Sequence, residues 1–121
     1  METLIFVYNA NSGYFNMVMD IGHKIFSPAT YPCSLCELTY GIFKIKPEWD
    51  IFIKEMSIPI LFLHKDEFIN QFPELKTLDL PVILIKKSGF VPECLFTHTE
   101  LNKIPTIASL KTILIDRMGK F

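Results

Sequence analysis

The chain has 121 residues, 50% of them hydrophobic, 13% aromatic and 21% charged, with 12 basic against 13 acidic side chains for a net charge of -1. This balance excludes an intrinsically disordered chain, which needs low hydrophobicity and high net charge, and it lacks the clustered positive field of a sequence-independent nucleic-acid binder. One domain over residues 1–121 with a sizeable core is expected, and no nucleic-acid partner.

Thr3 to Tyr8 is a β-branched and aromatic run without charge, bounded by the turn-forming Asn9-Ala-Asn-Ser-Gly13, and it predicts a central strand. Tyr14, Val18, Ile21 and Ile25 then recur at helical spacing opposite Asn16, Asp20, His23 and Lys24, so the strand feeds an amphipathic helix stopped at Ser27-Pro28. Met17 and Met19 widen its apolar stripe as packing residues. Residues 27–57 read as an insertion containing a helix. Within it, Pro32 to Tyr40 suits two helical turns, Ile42 to Lys46 alternates like a short strand, and Pro47-Glu-Trp-Asp opens a helix ending near Ser57.

The pattern beyond is simpler. Pro59 to His64 is a buried strand, Asp66 to Leu75 a short helix and Leu80 to Ile85 a second buried strand. Lys86 to Gly89 turns the chain, Glu93 to His98 returns as a strand, and Pro105 to Met118 forms a last helix with Ile107, Leu110, Ile113 and Leu114 inward. Apolar runs such as Ile58–Leu63 are far shorter than the ~20 residues of a membrane helix, so no membrane partner is expected. Glu2, Asn9 and Asn11 do not suit an export signal, which places the expected compartment in the cytoplasm.

Leu80-Pro81-Val-Ile-Leu-Ile85, the Gly89 turn, the returning strand Cys94 to His98 and the final helix together resemble the C-terminal half of a thioredoxin-like or glutaredoxin-like domain. With Thr3–Tyr8 and Pro59–His64 as the first core strands, the resemblance covers about two thirds of the chain. It implies an α/β fold: a thioredoxin-like three-layer sandwich with a mixed four-stranded sheet, helices on both faces and an inserted Cys-x-x-Cys loop. It also implies that Pro81 is cis and faces the substrate. The family carries its redox Cys-x-x-Cys in the loop between a core strand and its helix, whereas that loop here is Asn9-Ala-Asn-Ser-Gly13, without cysteine.

The close thiol pair is instead Cys33-Ser-Leu-Cys36, inside the insertion. At the start of a helical turn, backbone N–H groups favour a thiolate, so Cys33 would attack and Cys36 would resolve, the spacing permitting a reversible disulfide with a protein or small thiol partner. The same spacing supplies two zinc thiolates, with His23 as a third ligand and Cys94, His64 or His98 as a fourth. A third reading makes Cys33 and Cys36 packing residues and Cys94 an ordinary buried strand residue. No cofactor is required unless zinc is held. Substrate contacts are expected from Pro81 and from Asn9, Asn11 and Ser12, whose loop precedes a helix and suits an anion or a carbonyl, although simple helix capping accounts for the same residues. His23 sits one turn from Asp20, and His64 and His98 close apolar strands at the sheet rim. Phosphate-loop, dinucleotide-binding, zinc-protease and nucleophile-elbow signatures are absent from the sequence. The high apolar fraction makes a homodimer a further expectation.

Overall fold

The computed structural model describes residues 2–13, 34–39 and 46–118. The helix expected before Ser27, the strand expected at Ile42, and Cys33, His23 and Asp20 lie outside the described residues. Four strands form one mixed sheet: β1 (Glu2–Val7), β2 (Ile60–Leu63), β3 (Val82–Lys87) and β4 (Glu93–Phe96), in the order β2-β1-β3-β4. β1 runs parallel to β2, with Phe6 opposite Phe62, and antiparallel to β3, with Val7 opposite Val82.

The uncharged run of β1 follows from its central place, because helices cover both of its faces. Alternation sorts its side chains: Leu4, Phe6, Tyr8 and Ala10 enter one core, Ile5 and Val7 the other. The first core also takes Leu35 and Leu38 of α1 (Ser34–Thr39), Trp49 of α2 (Pro47–Lys54), Leu101 of α4 (His98–Asn102), and Leu110 and Leu114 of α5 (Ile107–Met118). Phe68 of α3 (Lys65–Gln71) closes the second core, with Leu75 of the 3-10 turn Pro73–Leu75 packed against it. Phe6 stacks on Phe62 at 5.1 Å between ring centroids and meets the edge of Trp49 at 5.5 Å, an arrangement that adds directional preference to the area buried.

The sequence expectations for the bounds of these elements hold within a few residues, but β2, expected to be a buried strand, is an edge strand buried only at Leu63. Pro47 opens α2 with Glu48 and Asp50 in its first turn, as aligned N–H dipoles favour. The Lys46 N–H donates to the Thr39 carbonyl at 2.8 Å, so α2 starts against the end of α1. The helix after β2 is shorter than expected, because Pro73 begins a separate 3-10 turn. The Leu80–Pro81 bond is cis, and Gly89 takes the positive φ of 83° that the β3–β4 turn requires.

Two expectations are corrected near the sheet edge. His98 does not close a strand: β4 ends at Phe96, and Thr97 caps α4 by accepting from the Glu100 N–H at 3.2 Å, while the Glu100 carboxylate accepts the Thr97 N–H at 3.1 Å. Cys94 is not a buried strand residue but an exposed thiol, because it lies in the outer half of an edge strand. The register of β4 shifts between Ile83 opposite Phe96 and Leu84 opposite Cys94, leaving Leu95 as the bulged residue. That extra residue lets the consecutive Leu95 and Phe96 both join the first core.

Candidate functional site

One end of the sheet gathers the loops that carry polar side chains. β1 and β2 both finish there, β3 begins there, and Phe96 of β4 lies beside Ile83, so α4 also starts there. The chain after β1 is held down by backbone bonds: the Tyr8 N–H donates to the Leu63 carbonyl at 2.9 Å, and the Lys65 N–H to the Ala10 carbonyl at 2.9 Å. Ser12 then donates its N–H to Asp66 Oδ1 at 2.9 Å and its hydroxyl to Asp66 Oδ2 at 2.6 Å. These two bonds hold the Asp66 carboxyl below its ordinary value, the hydroxyl contributing most.

The start of α3 is similarly closed. The His64 N–H donates to Glu67 Oε1 at 2.8 Å, and its Nδ1 lies 2.6 Å from the same oxygen. The backbone bond and then the ring contact lower the Glu67 carboxyl. His64 therefore does not close the strand, contrary to expectation, but follows the last residue of β2 as the N-cap of α3, with its ring turned to Glu67.

Between these elements lies a cleft of about 450 Å³, lined by Asn9 after β1, Lys65 and Ile69 of α3, the stretch Lys76–Leu80, and His98 and Asn102 of α4. Small-molecule sites run from roughly 300 to 1,000 Å³, so the cleft is of ligand size. Across it His98 Nδ1 stands 4.0 Å from Asp79 Oδ2. A second hollow of about 300 Å³ shares Leu78, Asp79 and His98 and extends to Cys94, Thr97 and Thr99. Partial burial, with Glu100 nearby, pushes the Cys94 thiol above its ordinary value, against the opposing pull of Arg117.

The expected site residues divide. Asn9 lines the main cleft, and Leu80 lines it directly before Pro81, which is itself buried. Asn11 and Ser12 do not line it, Ser12 being committed to Asp66. Cys36 belongs to α1, which packs against α4, the helix that also borders the cleft. Lys65, Lys76, Thr77, Asp79 and Asn102 were not expected from the sequence. Lys65 had one available signal, its place just after a parallel strand, where open α/β sheets bind ligands. Among the described residues no group of three or more His, Cys, Asp and Glu side chains could hold a metal ion; Cys33 and His23 of the expected zinc set lie outside the described residues. No helix among the described residues is long and apolar enough to cross a membrane. Comparison of the chain with family models, curated proteins and solved structures finds no match.

Proposed function

We propose that the chain is a thioredoxin-like domain whose thiol pair, Cys33 and Cys36, exchanges disulfides at the cleft end of the sheet. The observation carrying this reading is the packing of α1 against α4. α4 starts beside the beginning of β3, immediately after Pro81, and its contact with the helix that carries Cys36 supports a thiol pair working near that end. The run β3, Gly89 turn, antiparallel edge strand β4 and covering helix α5 supports the fold half of the proposal.

In the exchange, the Cys33 thiolate attacks one sulfur of a partner disulfide, whose S–S bond breaks to release one partner thiol. Cys36 then attacks Cys33 in the mixed disulfide, releasing the second partner thiol and leaving a Cys33–Cys36 disulfide. Two electrons and two protons pass from the protein dithiol to the partner, and a small-molecule thiol restores the dithiol. Reduction of a small aromatic disulfide tests the reading. Wild type and Cys94→Ser should turn over, Cys33→Ser should lose activity, and Cys36→Ser should accumulate a mixed disulfide on Cys33. Equal rates in all four proteins would refute it.

A second reading, a binding protein on the same scaffold with structural cysteines, is favoured by the loop Asn9–Gly13. It carries hydrogen-bonding side chains and no thiol, and its Asn9 lines a cleft of ligand size.

A further inference from the structure

The main cleft carries an imbalance of charge that the chain as a whole does not. Lys65 and Lys76 line it, and neither ammonium is paired with a carboxylate among the described residues. Asp66 and Glu67, the acids next to Lys65, are turned to Ser12 and His64 and do not line the cleft. The one carboxylate that does, Asp79, has His98 across from it at 4.0 Å. Two cations thus face one acid in a concave site, within a chain whose net charge is -1.

A concave site focuses such a field, and two exposed ammonium groups lining it attract an occupant that brings negative charge. The remaining lining suits the rest of a small molecule: Thr77 and Asn102 supply hydrogen-bond donors, and Ile69 and Leu78 apolar surface. We infer that this cleft binds a small organic anion through Lys65 and Lys76, its acidic groups being carboxylates or phosphates. The inference deepens the binding reading and rests on the cleft alone, independently of the thiol pair.

Calorimetric titration of the full chain carrying Cys33→Ser and Cys36→Ser, with citrate in one series and pyrophosphate in another at low salt, tests it apart from the redox chemistry. Binding of citrate alone assigns a carboxylate ligand, of pyrophosphate alone a phosphate ligand, and of both a general oxyanion site. Adding Lys65→Gln and Lys76→Gln, both at exposed positions, should weaken binding at least about tenfold, whereas Lys54→Gln on α2 should leave it unchanged. Added salt should weaken it as well. No binding of either anion, or binding indifferent to the two lysines, overturns the inference. Turnover of disulfides with no anion binding would overturn this inference and leave the redox proposal standing.

Discussion

Arg117, in the last turn of α5, donates from Nη1 to the carbonyl of Leu95 at 2.6 Å, and Leu95 is the residue that the β3–β4 register skips. The bulge that turns Leu95 and Phe96 into one core thus has its carbonyl satisfied by the C-terminal helix. The same guanidinium donates from Nη2 to Glu100 and lies over the Phe96 ring at 4.3 Å from its centroid. One side chain therefore joins β4, α4 and α5.

Arg117→Met should keep much of the aliphatic packing but leave the Leu95 carbonyl and the Glu100 carboxylate without this donor. A loss of about 1–3 kcal/mol is expected by urea denaturation, the range for a polar group deprived of its partner. Glu100 adds a pH signature. Arg117 first, and the Thr97 N–H next, hold its carboxyl below the ordinary value. The stability it contributes is therefore present above the unfolded carboxylate pKa of about 4.3 and is lost as pH falls through the lower folded value. Glu100→Gln should flatten that acid limb and change little in the slope near neutral pH.

Asp66 should behave in the same direction for a different reason, since neutral donors on Ser12 rather than a cation lower its carboxyl. Ser12→Ala should remove the hydroxyl bond at a cost of about 1 kcal/mol. If that bond anchors the loop Asn9–Gly13, amide exchange at Asn11 and Ser12 should speed up while β1 stays protected. Unchanged exchange in the loop would show that the backbone bond from Lys65 to Ala10 suffices.

Cys94 should alkylate slowly at neutral pH compared with an unhindered thiol, because its raised pKa leaves little thiolate. Iodoacetamide labelling of the Cys33→Ser, Cys36→Ser protein isolates this group. Its rate should climb at higher pH than that of an ordinary thiol, and Glu100→Gln should bring the climb to lower pH by removing a neighbouring negative charge.

Trp49 is the chain's single tryptophan and is fully buried between Phe6 and Phe52. Trp49→Phe opens a smaller cavity than Trp49→Ala, for which about 3–5 kcal/mol is expected. In the parent protein its fluorescence should be blue-shifted when folded and move red in a single transition coincident with circular dichroism.

The sheet was legible because its signals are local. An uncharged run such as Leu4–Val7 has few alternatives to a strand covered on both faces, and Pro81 and Gly89 punctuate β3 at both ends. His98 was misread because β4 and α4 adjoin with only Thr97 between them, and the cap that separates them depends on Glu100 reaching back. Cys94 was misread because nothing local says that its strand lies at the edge. The cleft was the least legible feature. Lys65, Lys76 and Asn102 come together through β1–β2 pairing, the 3-10 turn and the placement of α4, and none of these is a spacing in the sequence.

The central claim concerns Cys33 and Cys36, and its most direct measurement is their oxidation state across a series of thiol–disulfide buffers, read by mass spectrometry of the Cys94→Ser protein. The account predicts one reversible two-electron transition, with a Cys33–Cys36 disulfide as the oxidised product and a midpoint within the roughly -120 to -270 mV range of thiol oxidoreductases. Two thiols that stay reduced throughout, or that oxidise only to separate mixed disulfides without ever joining, would contradict it.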